Sequence, residues 1–422
     1  MAKHVRRLSV LLLVVVATVL LVHYAGTQGG KSKLPVGPIK PAVALGDSHG
    51  VILASDGSLW SWGAEEWGWP VLGLGNTGPQ PSLRRIGHET NWVSIAAGGY
   101  HNLAVKSDGT LWSWGGNFYY TLGDGTRISR NTPIHAVPGN DWKQVAVGIH
   151  SVGLKRDGTL WAWGNNWAGN LGNGSTNDSP APVQVGSATN WIKVWACGIQ
   201  NIGMQSDGSL WFWGHDMSVS PHKSIVTPTH VSSDTNWVDV CFGAFMTFAI
   251  KSDGTLWAWG WKADIYTGAT DKALNARPVQ IGTNADWLAC GSSNDRYQTF
   301  LKRDGSLWAL DSTDPDVTPA SVYKPPRFKR ISLQKDFVAF AAQGGRNSRS
   351  GPVGVALTRD GEVWTWGRAF GRYTPASQLL QGISRIVNGL GFKVAWGDWK
   401  QATTRQEPWQ LHNLDEEDLA HK

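Results

Sequence analysis

The chain has 422 residues, of which 41% are hydrophobic and only 17% charged, with 51 Gly and 26 Trp. Such low charge excludes a disordered chain or a coiled coil, and many glycines beside many tryptophans argue for short strands, tight turns and aromatic core layers. The net charge of +6 lies wholly in residues 1–40, where Lys3, Arg6, Arg7, Lys31, Lys33 and Lys40 stand without an acid, leaving 32 basic and 32 acidic residues elsewhere. A neutral body lacks the electrostatic footprint of a nucleic-acid binder, so no nucleic-acid partner is expected.

In chain order, the first feature is an apolar run, Leu8–Val22, behind Lys3, Arg6 and Arg7. Residues 1–26 read as one hydrophobic helix that is either a cleaved export signal or an uncleaved anchor. A basic flank on such a segment places the body outside the cytoplasm. The localisation expected is therefore extracytoplasmic, secreted or membrane-anchored, with the membrane touched only through the N-terminal segment. Residues 27–41, rich in Gly, Pro and Lys, read as a linker.

Internal repetition dominates the remainder. Asp-Gly recurs at Asp56, Asp108, Asp157, Asp207, Asp253, Asp304 and Asp360, inside strings such as SDGTLWSWG and RDGTLWAWG. Seven copies at a period of roughly fifty residues define a repeat architecture. Within a copy, Leu103 and Val105 alternate with polar or small neighbours and predict a half-buried strand. Asp108-Gly109 predicts a two-residue type I′ hairpin. Leu111–Trp114 predicts the return strand, with Trp112 and Trp114 on one face. An upstream strand opens at Trp92, Trp142, Trp191, Trp237 and Trp287, with Phe337 in a similar place, and a weaker fourth strand follows a loop of variable length. Eighteen of the 26 tryptophans recur at these fixed places, which marks them as core or interblade packing.

Four antiparallel strands per copy, repeated radially, make an all-β seven-bladed β-propeller over residues 42–400. The first copy lacks an Asn-Trp strand start, so Ile383–Trp399 is expected to supply the strand missing from the first blade. Residues 401–422 read as a polar C-terminal tail. The cysteines, Cys197, Cys241 and Cys290, allow at most one bridge and read as buried small hydrophobes.

The string from His150 to Ser175, HSVGLKRDGTLWAWGNNWAGNLGNGS, resembles the repeat of the regulator of chromosome condensation family. The copies at 101–126 and 150–175 match best, and the fourth to sixth copies lack the LGxG element. The resemblance implies a seven-bladed propeller. In tryptophan-rich style and leader the chain is most similar to exported bacterial members. Among these, the β-lactamase-inhibitory propellers bind a target protein through loops of one face. The nuclear founder exchanges nucleotide on a small GTPase and contacts chromatin, an activity that an export leader and a neutral body argue against. Trp-Gly at the strand end separates the chain from WD repeats.

No GxSxG, HExxH, Walker or calcium-loop motif occurs, and the chain reads as a binding protein rather than an enzyme, with no cofactor and no metal. His49, His101 and His150 each sit seven residues before their Asp-Gly. They read as hydrogen-bonding turn residues, the alternative being a three-histidine metal site. The candidate partner-binding residues are aromatics that break the repeat in the loops after the third strand: Trp67, Trp69, Phe118, Tyr119, Tyr120, Trp167 and Trp261. An aromatic rim of this kind fits an extracytoplasmic protein partner, or alternatively an envelope polysaccharide.

Overall fold

The computed structural model describes residues 33–65, 68–75, 78–216, 223–243, 246–260, 277–291, 298–311, 327–332, 335–344, 352–366 and 411–412. The expected leader and its hydrophobic helix lie outside them. Blade one comprises β1 (Ala42–Leu45), β2 (His49–Leu53), β3 (Leu59–Gly63) and β4 (Gln80–Ile86). Blade two comprises β5 (Trp92–Ala97), β6 (His101–Lys106), β7 (Leu111–Gly115) and β8 (Arg130–Val137). Blade three has β9 (Trp142–Val147), β10 (His150–Lys155), β11 (Leu160–Gly164) and β12 (Ser179–Gln184). In blade four stand β13 (Trp191–Cys197), β14 (Gln200–Gln205), β15 (Leu210–Asp216) and β16 (Lys223–Ser232). Blade five holds β17 (Trp237–Phe242), β18 (Met246–Lys251), β19 (Leu256–Gly260) and β20 (Val279–Gln280). Blade six holds β21 (Trp287–Gly291), β22 (Thr299–Lys302), β23 (Leu307–Asp311) and β24 (Arg327–Arg330). Blade seven closes the ring with β25 (Phe337–Gly344), β26 (Pro352–Thr358), β27 (Val363–Trp366) and β28 (Leu411–His412). Each blade is a four-stranded antiparallel sheet in chain order, its first strand lining the axis. The chain is thus a seven-bladed propeller.

Four expectations need correction. The second strand is buried along its whole length rather than on one side: every residue of β6 is buried, because neighbouring blades cover both faces of each sheet. The Asp-Gly hairpin is not type I′. Gly109 lies at φ +85° and Tyr120 is the only non-glycine residue with positive φ among the described residues, so Asp108 stays in the ordinary region. Gly109 N–H bonds Lys106 O at 2.9 Å and Lys106 N–H bonds Thr110 O at 3.0 Å, the pattern of a three-residue loop ending in a left-handed glycine. A Cβ at Gly109 would run into the Asn140 carbonyl, so the glycine also lets the next blade approach. The aspartate orders the return strand: Asp108 Oδ1 accepts the Thr110 N–H at 2.9 Å and its hydroxyl at 2.7 Å, and that hydroxyl accepts Trp112 Nε1–H at 3.0 Å. The first indole of the repeat is satisfied in this way in copies one to six.

The third correction concerns closure. Blade one owns four strands, so no place is left in it for a C-terminal strand. Leu411–His412, inside the stretch read as a tail, instead pairs with β27 as the outer strand of blade seven. The expected donor, Ile383–Trp399, lies outside the described residues. At the other end, Leu34 N–H bonds Gly361 O at 2.8 Å, as Trp142 N–H bonds Gly109 O at 3.0 Å between interior blades. Leu34 is buried among Ile52, Ala54, Val355 and Leu357, and so part of the expected linker serves as the clasp between the last blade and the first.

Cys241 and Cys290 form a disulfide between β17 and β21, their Cα atoms 5.7 Å apart and 49 residues apart in sequence. Cys197 takes no part in the disulfide. The reading of all three as inert hydrophobes therefore fails for two of them, because one repeat of sequence is one blade of rotation. A closed loop of this length contributes about 4 kcal/mol by chain entropy. The Cys241→Ala/Cys290→Ala variant should lose about that much in urea denaturation, and reducing agent should shift the wild type equally and leave the variant unmoved.

Candidate functional site

Within a blade the first strand runs toward one face of the ring and the second returns. The turns after first strands and the loops after third strands therefore share one face, here called the rim face. The Asp-Gly hairpins occupy the other. Gly116 N–H bonding Tyr100 O at 2.7 Å joins the two kinds of rim segment.

In blades two and three a buried asparagine builds each rim loop. Asn117 Oδ1 accepts Leu122 N–H at 3.0 Å, and its amide donates to Asp124 Oδ1 and to Thr126 O, both at 2.9 Å. Asn166 does the same for Leu171 N–H at 2.9 Å and Asn177 O at 2.9 Å. With the asparagine turned inward, the next residue is turned out. Phe118 is 55% exposed, Tyr119 42% and Trp167 56%. Phe118 and Tyr119 pack edge to face at 4.8 Å, and Trp167 lies 5.7 Å from His215 of the following blade.

The remaining rim residues fare differently. Tyr120 occupies the place of Gly169 in the next copy and adopts its left-handed backbone, φ +62° against +76°, a strained conformation for a bulky side chain. Its ring is half-buried, with the Arg127 guanidinium 4.6 Å above it. Trp69 is half-buried over Gly116 and lies 6.1 Å from Tyr100. Trp67 and Trp261 lie outside the described residues. Sequence reasoning missed Tyr100, 38% exposed in the turn before His101, and Ile128. The signal for Tyr100 was an aromatic directly preceding the repeat's histidine.

The three histidines are buried and hand one blade to the next. His49 Nε2 is 2.7 Å from Asn102 Oδ1, His101 Nε2 2.8 Å from Ser151 Oγ, and His150 Nε2 2.7 Å from Asn201 Oδ1. Each partner then donates to a rim-loop carbonyl: Asn102 to Val71 at 2.9 Å, Ser151 to Thr121 at 2.6 Å and Asn201 to Asn170 at 3.0 Å. Burial holds His49 and His150 down at about 4; burial and the other two histidines hold His101 at about 3. They are neutral interblade hydrogen-bonding groups. Among the described residues no three of His, Cys, Asp and Glu gather as metal ligands, so the three-histidine site does not form.

Fold and rim together define a repeat propeller with short buried connectors beneath variable surface loops. Regulator of chromosome condensation (RCC1) repeats match residues 42–66 and 92–120 in one family model and 56–105, 108–153 and 157–201 in a second. RCC1 repeats are thus present between residues 42 and 201 of a seven-bladed propeller. The ultraviolet-B receptor UVR8 of Arabidopsis thaliana is 37% identical over 93 residues, 22% of this chain and 21% of that one. The human E3 ubiquitin-protein ligase HERC2 is 38% identical over 86 residues, 20% of this chain and 2% of that one. The match thus spans about a fifth of the receptor and far less of the ligase. Yeast RCC1 (Prp20), solved bound to Kap60, superposes with a TM-score of 0.57 at 18% identity, covering 81% of this chain and 83% of that chain. Human WBSCR16 superposes at 0.56 with 16% identity, covering 72% and 83%. At these identities the structures establish the fold.

Proposed function

We propose that this chain is an exported, non-catalytic propeller that binds a protein partner through its aromatic rim. The observation that carries the reading is the outward turn of Phe118, Tyr119 and Trp167 on one face, each placed by a hydrogen-bonded loop rather than by core packing. Large aromatics held rigidly at a surface are the side chains that anchor protein interfaces. The RCC1-repeat relatives support a binding role: Prp20p of Saccharomyces cerevisiae is described with binding to Gsp1p and histones. The apolar leader supports export, and the Cys241–Cys290 disulfide fits an oxidising compartment.

The test is affinity capture from envelope and secreted extract of the source organism, with the wild type and with Phe118→Ala/Tyr119→Ala/Trp167→Ala. The wild type should retain a protein that the variant loses, while the variant's thermal melt stays unchanged. A protein retained equally by both removes the rim assignment. The exposed Trp167 ring also suits stacking on a sugar, and release by free sugars would move the reading to polysaccharide.

A further inference from the structure

The large hydrophobic side chains exposed among the described residues divide by face. Tyr100, Phe118, Tyr119, Ile128 and Trp167 belong to the rim, and all but one are aromatic. Val36, Val93, Ile192, Val238 and Leu288, all aliphatic and 37–59% exposed, belong to the face of the Asp-Gly hairpins. Four of these aliphatics have one structural cause. Val93, Ile192, Val238 and Leu288 each follow a strand-opening tryptophan, where the pairing of first and second strands slips by a residue. Trp92 pairs with Lys106 and Ser94 with Val105, which leaves Val93 out. Such a bulge turns its extra residue away from the ladder. The opening tryptophans sit beside the hairpins, Trp92 N–H bonding Gly57 O at 3.2 Å and Trp287 N–H bonding Gly254 O at 3.1 Å. The bulged residues therefore stand on the hairpin face, at the starts of the strands that line the axis. The bulge itself does not require an apolar residue, since exposed Lys143 holds the same place in blade three. The fifth aliphatic, Val36, belongs to the N-terminal clasp. Lys33 Nζ meets Asp360 at 3.1 Å and Ile39 N–H bonds Ser55 O at 2.8 Å, so residues 33–39 cross from the hairpin of blade seven to that of blade one. The apolar run Leu8–Val22 precedes Lys33 by only residues 23–32.

We propose that the hairpin face is seated on the lipid bilayer in which Leu8–Val22 is anchored. The inference rests on the export reading, with the leader retained as the anchor. A flexible tether of ten residues has a reach of about 18 Å, so the anchor holds the hairpin face, and not the rim, next to the membrane. Aliphatic side chains so placed gain by leaving water for the boundary between headgroups and acyl chains. The short tether keeps lipid at high effective concentration beside them. The hairpin aspartates, Asp56 to Asp360, share the face, so the adhesion is apolar and needs no anionic headgroup. Membrane contact then extends past the N-terminal segment to the propeller itself, and the rim on the opposite face is presented away from the bilayer to its partner.

For the test, the full-length chain is reconstituted in phosphatidylcholine nanodiscs doped with a phosphatidylcholine that carries a diazirine near the glycerol end of one acyl chain. After irradiation and digestion, mass spectrometry locates the lipid adducts. Adducts should appear on residues 1–32 and on the peptides holding Val93, Val238 and Leu288, and not on Phe118, Tyr119 or Trp167. In Val238→Asp/Leu288→Asp the strand adducts should fall about tenfold or more, while those on residues 1–32 persist and the melt stays unchanged. Val238→Ile/Leu288→Met should keep them all. Adducts on residues 1–32 alone, equal yield on the rim loops, or strand adducts indifferent to the aspartate pair would overturn the seating and leave the anchor in place. Absence of adducts on residues 1–32 would overturn the anchor and the seating together. Partner capture at the rim is a separate readout that neither result moves.

Discussion

Between pH 7 and pH 5 the propeller should lose about 6 kcal/mol of stability through His49, His101 and His150. In the unfolded chain a histidine takes up its proton near pH 6.5. In the folded ring burial keeps the same groups neutral to about 4, 3 and 4. From pH 6.5 down to those values the unfolded state binds more protons than the folded one, so stability falls as pH falls, by about 2 kcal/mol per histidine at pH 5. Well above pH 6.5 all three are neutral in both states and contribute no slope. The hairpin aspartates, Asp108 and Asp157 among them, are held below their ordinary value by the hydroxyl and N–H of the following threonine, and their contribution goes at still lower pH. Glu65, held up by burial, acts in the opposite direction. Urea denaturation at pH 7, 6 and 5 measures the slope. His49→Gln and His150→Gln should each flatten it, whereas a flat wild-type profile would mean that the imidazoles are solvated. The loss is comparable to the whole stability of many domains. Acid should therefore open the ring first at the junctions of blades one to four, where the histidine links lie.

Those links show where the sequence stopped being legible. The repeat period gave the blade number and the hairpin positions, since both are properties of a single copy. What joins one copy to the next was hidden, because the partners stand about one period apart: His49 with Asn102, Cys241 with Cys290. A string read copy by copy shows a histidine in a turn and a cysteine in a strand. It does not show that an adjacent position of the following copy faces it. The closure misread has the same origin. Leu34 belongs to no copy, yet it makes the backbone contact that a strand-opening tryptophan makes elsewhere. The hairpin misread is local, as Asp-Gly suits both a two-residue and a three-residue loop, and the hydrogen bonds of Lys106 with Gly109 and Thr110 define the longer one. At the rim, the aromatic positions were legible as departures from the repeat. Their exposure was not, because it depends on Asn117 and Asn166 turning inward. Tyr120, in the same aromatic run, is turned against Arg127 instead.

Two tryptophans four residues apart provide the sharpest contrast. Trp163→Ala should cost about 3–5 kcal/mol, and Trp167→Ala about 0.5 kcal/mol or less. Trp163 is fully buried at the junction of blades two and three, against Trp142 at 6.1 Å and in a cluster with Leu103, Val105, Leu111 and Val137. Its Nε1–H donates to Thr121 O at 2.9 Å, the carbonyl that also receives the Ser151 hydroxyl. A Cβ at Gly123 would stand 2.7 Å from the same indole nitrogen, so the LGDG loop is shaped to the ring and leaves little room to collapse into a vacated site. Trp163→Phe should recover most of the loss, since it restores volume and the Thr121 carbonyl keeps its serine donor. Trp167 has no such enclosure, and its removal should be felt by a partner rather than by the fold. Urea denaturation of the two alanine variants decides the matter. If Trp167→Ala costs as much as Trp163→Ala, the outer ring is part of the molecule's own packing and the rim reading fails with it.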